Sequence, residues 1–430
     1  MPRFSRIKML AVIWFLNSAC WATQVPGGAD EKLSPAEEEF VTLTDDFNSE
    51  LNKFWKQISS MTDRGEIDTY VTQHDPAIEY LPKLLAFERE HAGQDVGIDT
   101  LSEVISYAAR GGGRESPGAL ARREVLPRLV AYEDRELVIR PMSLLTSGDH
   151  DRRVIDHFRR VAISRDAHPT VRETARFVLA KELLSLRDAR LTPEQRLKAL
   201  AEGEEPTVFN ETDLVRDYLN SLPSAGEINS GINEATTILT ELAASGTSFR
   251  LPVIRTVDPT GRIARIDPQQ AKSATDLSEM AAALLFKEQH LRIEQPAPNL
   301  ELKLVDGELW TLESQRGRVV IIQFSFTGCR PCEMMYPDLR KLHEENPKRV
   351  SIVSIMRDET PNSSTEAINA GKITWAVAWD GRPGRIASRW SVDVFPTVYV
   401  IDRKGRVAGV NLQDEKLKAK VTELLEMDPR

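Results

Sequence analysis

Two cysteines separated by two residues, Cys329-Arg330-Pro331-Cys332, are the side chains of this chain best suited to chemistry. They follow Val319 to Phe326, an apolar run with only Gln323 and Ser325 polar, which reads as a central buried strand. A helix is expected to start directly after it. Unpaired N–H groups at the first turn of a helix, and the positive end of its dipole, stabilise an anion, so Cys329 should ionise readily. Pro331 suits that first turn, where its missing N–H is not needed. Arg330 places a cation beside the first sulfur, and Cys332 lies one turn on, within disulfide reach. The chemistry this predicts is thiol–disulfide exchange. A Cys329 thiolate attacks a disulfide and Cys332 resolves the mixed disulfide. Half of a zinc site is the competing reading, but a second ligand pair is missing: His343 is the nearby histidine and none follows it.

Cysteine usage sharpens this reading. The 430-residue chain has three cysteines, and Cys20 falls in a segment that reads as an export signal. Arg3, Arg6 and Lys8 precede the apolar run Met9 to Leu16, and the small residues Ala19 and Ala22 follow. Cleavage after Ala22 is expected, and the apolar run is too short to span a bilayer. The alternative is a lipid anchor at Cys20. Either way the protein is expected in the periplasm or cell envelope. An exported protein left with one pair, two residues apart, is not using disulfides as staples. The net charge of −9 argues against nucleic acid as a partner. No phosphate loop, His-Glu-x-x-His helix or serine elbow occurs. His150 and His157 read as a solvated pair, and no metal site is expected.

The elements around the pair form a multidomain chain: an α-helical array followed by an α/β fold. Residues 1–22 are the signal and 23–35 a flexible lead-in. An irregular, repeat-like helical domain spans 36–225, with Phe40, Leu43, Phe47, Leu51 and Phe54 on one helix face. A later helix opens at His168-Pro169. Breaks are expected at Gly111-Gly112-Gly113, at Ser147-Gly148 and at Glu202 to Pro206. Residues 226–295 form a connecting segment with two helices and a hairpin around Pro259-Thr260-Gly261. From 296 to 430 strand and helix alternate. Asp306-Gly307 turns a hairpin, one helix covers 331–345, and strands run from Val350 to Met356 and Thr397 to Asp402.

Residues 296–430 resemble the thioredoxin superfamily, in particular its exported TlpA/ResA-like branch of multidomain bacterial proteins with a helical N-terminal region. The motifs that carry the resemblance are Ala297-Pro298-Asn299-Leu300, Asp306-Gly307, the strand from Val319, Cys329-Arg330-Pro331-Cys332, and Phe395-Pro396-Thr397 running on to Asp402 and Gly405. The resemblance implies that Pro396 is a cis-proline facing the cysteines. With Phe395 and Thr397 it would position substrate, the Phe395 backbone pairing with it like a strand. Two positions depart from the family pattern. Gly328 stands where a tryptophan is usual. Gln323 stands where thioredoxin has a buried acid, and a neutral amide cannot act as a base. Arg330, Pro331 and Gln323 are therefore candidates for tuning the cysteine pKa values, with Glu333 a candidate proton acceptor.

The function this predicts is disulfide exchange with protein thiols, in the reducing direction, fed by a membrane-bound electron donor. No cofactor beyond the redox-active pair is expected. One alternative is a helical partner-binding scaffold carrying an auxiliary thioredoxin domain. Another is a thiol peroxidase, whose signature Pro and Thr or Ser are replaced here by Ile322 and Phe326.

Overall fold

The computed structural model describes residues 33–108, 116–145, 152–204, 211–246, 255–257, 263–265 and 276–427, less 383 and 393. The export signal, Cys20, His150, the breaks at 111–113 and 147–148 and the turn at 259–261 lie outside these residues. The chain forms two compact units, the first reaching Ile238 and the second running from Leu277. No described helix is long and apolar enough to cross a membrane.

The first unit is helical. Its elements are α1 (Pro35–Ser60), α2 (Arg64–His74), α3 (Ala77–Glu90), α4 (Asp95–Ala108), α5 (Pro117–Leu129), α6 (Ile139–Leu144), α7 (Arg152–Ile163), α8 (Pro169–Ala201) and α9 (Glu211–Ser221), followed by α10 (Ala225–Ser245). Ser34 opens α1 with a reciprocal cap: its hydroxyl accepts from the Glu37 N–H at 3.3 Å, and the Glu37 carboxylate accepts from the Ser34 N–H at 2.9 Å. Phe47, Leu51, Phe54 and Ile58 then bury one face. One charge in this core is held by a cation and a phenol. The buried Glu88 of α3 accepts from Arg128 of α5 at 2.6 Å and from the Tyr132 hydroxyl at 2.7 Å. Gly97 makes room for this group, since a Cβ there would lie 2.3 Å from the Tyr132 oxygen.

His157 corrects the expectation of a solvated histidine. It shares the buried face of α7 with Val154, Phe158 and Val161, because the hydrophobic stripe of that helix is wide enough to take it in. Burial, together with the Arg160 guanidinium 3.3 Å from Nδ1, pushes its pKa down to about 4. Arg160 in turn pairs with Glu133. The unfolded chain therefore takes up a proton near pH 6.5 that the folded chain refuses until about pH 4. This makes the contribution of His157 to stability complete above pH 6.5 and progressively lost as the pH falls toward 4, by about 3 kcal/mol in all. Urea unfolding between pH 7 and pH 4 should show a shallower acid loss for His157→Gln than for the parent. Parallel pH profiles would contradict this assignment.

The strand pair β1 (Arg255–Val257) and β2 (Ile263–Arg265) is antiparallel. The second unit opens with helix α11 (Leu277–His290), which the sequence had assigned to the connecting segment. Phe286 of this helix and Leu291 just after it pack into the core of the second unit. A hairpin of β3 (Glu301–Lys303) and β4 (Leu309–Thr311) follows. The main sheet runs β7 (Ala376–Trp379), β6 (Val350–Met356), β5 (Val319–Ser325), β8 (Thr397–Ile401), β9 (Val407–Val410). Strand β5 is central, parallel to β6 and antiparallel to β8. Alternate residues of β5 feed two cores. Val320, Ile322 and Phe324 meet Trp310, Trp390 and Tyr399 on one face. Val319 and Ile321 meet Leu339, Trp375 and Val421 on the other.

Helices α12 (Arg330–Met334), α13 (Tyr336–Glu345), α14 (Pro361–Asn369), α15 (Arg385–Arg389) and α16 (Asp414–Glu426) complete the unit. The single helix expected over 331–345 is broken at Met335. Pro337 has no N–H to return to Glu333, so the first helix ends and a second begins, with Pro337 in its first turn.

Candidate active site

All seven residues of β5 are buried, and the chain leaves the strand at Ser325 to reach α12 through Phe326, Thr327 and Gly328. Gly328 has φ +84°, a left-handed conformation that glycine takes without steric cost, and a Cβ there would meet nothing within 4 Å. The space beside the cysteine pair is therefore open where the family pattern places a tryptophan.

Cys329 is the N-cap of α12. Its Sγ accepts from the Cys332 N–H at 3.3 Å, so an otherwise unpaired donor of the first turn points at the first sulfur. Cys329 and Cys332 are joined by a disulfide, with Cα atoms 5.3 Å apart. Both cysteines are buried, Cys329 keeping 4% of its residue surface exposed and Cys332 none. Pro331 is half-buried in the first turn and Arg330 is exposed beside it.

Beneath the pair, Gln323 is fully buried. Its amide N–H donates to the Cys332 carbonyl at 3.4 Å, and its carbonyl accepts from the Ser354 hydroxyl at 3.0 Å. Ser354 accepts from the Trp375 indole N–H at 2.9 Å. Where an acid would hold a proton, the chain Trp375–Ser354–Gln323 instead braces the backbone of the buried cysteine. Glu333 Oε1 accepts from the Gly328 N–H at 3.3 Å, which directs this carboxylate to the loop.

The Phe395–Pro396 peptide bond is cis. The register of β5 with β8 sets Phe324 against Thr397, which brings the chain entering β8 alongside the chain leaving β5. Pro396 and Thr397 are buried and Phe395 is half-buried, and the Thr397 hydroxyl donates to the Val394 carbonyl at 2.7 Å.

A further group of residues was not legible as part of the site. Asp358 lies two residues past the end of β6 and is buried. Its carboxylate accepts from the Thr327 N–H at 2.7 Å, the Thr327 hydroxyl at 3.0 Å and the Ser364 hydroxyl at 3.1 Å. Its backbone carbonyl accepts from the Trp379 indole at 2.7 Å. Asp358 thus anchors the loop two residues ahead of Cys329. The one sequence signal was an acid following an apolar strand, which by itself reads as a solvated strand end.

Residues 293–410 match the model of the AhpC/TSA family. The C-terminal domain is a thioredoxin-like thiol–disulfide oxidoreductase domain. It is similar to the thiol–disulfide oxidoreductase ResA of Bacillus thuringiensis subsp. konkukian, 29% identical over 140 residues, 32% of this chain and 80% of the relative. It is also similar to the thioredoxin-like protein YneN of Bacillus subtilis, 26% identical over 129 residues, 29% of this chain and 75% of the relative. Among solved structures, a putative thiol:disulfide interchange protein DsbE from Chlorobium tepidum is 22% identical with a TM-score of 0.29. That match covers 31% of this chain and 98% of the other.

In the thioredoxin-like domain, Asp358→Ala would leave one backbone and two hydroxyl donors without their acceptor, at a cost of about 2–4 kcal/mol. Asp358→Asn keeps one carbonyl acceptor and should cost less. Urea unfolding of the two variants tests this order, and equal stability of Asp358→Ala and the parent would contradict the anchoring role.

Proposed function

We propose that this protein is an exported thiol–disulfide oxidoreductase that reduces disulfides of client proteins through Cys329 and Cys332. The observation that carries the reading is the asymmetry of the pair. Cys329 keeps the little residue surface that the buried pair exposes, at a helix start that donates an N–H to its Sγ, and Cys332 keeps none. In the reduced protein, the Cys329 thiolate attacks one sulfur of a client disulfide and the other client sulfur leaves as thiolate. The Cys332 thiolate then attacks Cys329 Sγ, releasing the second client thiolate and forming the Cys329–Cys332 disulfide. Two electrons pass from the pair to the client, and the proton of Cys332 goes to water.

No other cofactor is needed for this step. Pro396, Phe395 and Thr397 position the client backbone, and Arg330 favours the Cys329 thiolate. Pro331 shapes the first turn, and Gln323 holds Cys332 in place. The exported location rests on the basic, apolar, small order of residues 3–22, with anchorage at Cys20 as its variant. The reducing direction implies a membrane-bound donor that returns the pair to dithiol. The helical domain (36–225) contributes partner choice, and residues 296–430 carry the exchange. Peroxide reduction is disfavoured because Phe326 offers no hydroxyl where a peroxidase has Thr or Ser, and Ile322 stands in place of its proline.

Cys332→Ser should accumulate mixed disulfides between Cys329 and clients, because the resolving thiol is gone, while Cys329→Ser should trap few. Non-reducing gels of affinity-purified variants read the difference. Equal trapping by both variants, or none by either, would contradict the assigned roles.

A further inference from the structure

The turn that delivers Cys329 also carries a pattern of charge that the exchange itself does not use. Phe326 and Phe395 meet edge to face with ring centroids 5.4 Å apart. The Phe326 carbonyl accepts from the Cys329 N–H at 3.2 Å, so this ring pair adjoins the reactive turn. Each ring carries a guanidinium: Arg382 lies 5.5 Å from the Phe326 centroid and Arg357 lies 5.6 Å from that of Phe395. The Arg382 Nε donates to the Arg357 carbonyl at 2.9 Å, which ties the two together. Both rings are half-buried, Arg382 and Val394 are exposed, and Arg330 is exposed directly after Cys329.

Most carboxylates of the described residues around this face are engaged elsewhere. Glu333 accepts from the Gly328 N–H, Asp358 is buried with three donors, and Asp380 accepts from the Ile386 and Ala387 N–H groups at 3.0 and 2.8 Å. Glu359 is the exposed acid of the Arg357 loop. A chain with a net charge of −9 thus presents two exposed guanidiniums, Arg382 and Arg330, and two half-buried rings around the turn of its disulfide, with the half-buried Arg357 against the second ring.

We propose that this face selects client segments in which Asp or Glu side chains flank the reactive cysteine. A guanidinium held against a ring loses less freedom when it binds, and with its Nε–H spent on the Arg357 carbonyl the exposed Arg382 meets a carboxylate through its terminal N–H groups. The rings offer an apolar ledge to the client chain beside that charge pair. Gly328 leaves the opposite side open, so charge on the ledge, and not shape around the pair, does the discriminating. Long-range attraction adds to the association rate in the same direction.

The inference rests on the proposed exchange with protein disulfides. The full-length reduced protein is mixed with three peptide disulfides of one sequence, their cysteines flanked by Glu, by Lys or by Ser, and second-order rate constants are measured. The Glu-flanked peptide should react about tenfold faster than the Lys-flanked one at low salt, and the ratio should collapse in about 0.5 M sodium chloride. Arg382→Glu should bring that ratio to one or invert it, and Arg382→Lys should retain it. Equal Glu and Lys rates in the parent, with the Ser-flanked peptide still reduced, would overturn this inference alone. No reaction with any of the three would overturn the exchange reading and the inference with it.

Discussion

The second unit is organised by one constraint: β5 is buried at every position, so every polar group it carries must find its partner inside the protein. Its backbone is paired on both sides, with β6 and β8. Gln323 is satisfied by Ser354 and the Cys332 carbonyl. Ser325 is 3.5 Å from the Tyr336 hydroxyl, and burial raises the pKa of that phenol. Because these partners sit on neighbouring elements, satisfying β5 also fixes β6, Trp375 at the entry to β7 and the first turn of α12. The strand end then sets Cys329 at the start of α12, one turn from Cys332.

The loop between strand and helix is held from a different direction. Asp358, just past β6, accepts from the Thr327 backbone and hydroxyl, and so fixes the chain immediately before Gly328. Gly328 makes the left-handed turn and Cys329 caps the helix. The anion-stabilising donor of the site, the Cys332 N–H, is thereby aimed at Cys329 by backbone geometry, and no metal or second side chain is required for it. The departures at 328 and 323 from the thioredoxin pattern have matching physical effects: one leaves open space directly before the first cysteine, and the other replaces a proton-holding acid with a neutral brace.

Much of this was legible in sequence because it depends on local rules. The apolar run 319–326, the Cys-x-x-Cys at a strand–helix junction and the Asp306-Gly307 turn each have a period or a residue type that points to one structure. The break at Met335 was equally local, since Pro337 dictates it, but the amphipathic pattern across 331–345 masked it. What sequence did not carry is contact across distance. Asp358 lies 31 residues from Thr327 and Ser354 lies 31 from Gln323, and neither spacing has any periodicity to mark it. His157 failed for a related reason: the polar character of a histidine gave no sign that its helix face would be covered. Helix α11 was placed with the wrong neighbours because two prolines at 296 and 298 mark a turn as readily as a domain boundary.

The central claim is that geometry makes Cys329 the reactive thiol and Cys332 the sheltered one. Alkylation of the reduced protein with iodoacetamide across pH, followed by peptide mass spectrometry of each site, measures this directly. The account predicts label on Cys329 alone at early times, with a rate that titrates below the ordinary thiol value of about 8.5. Equal labelling of the two cysteines, or a Cys329 rate that titrates at or above that value, would contradict it.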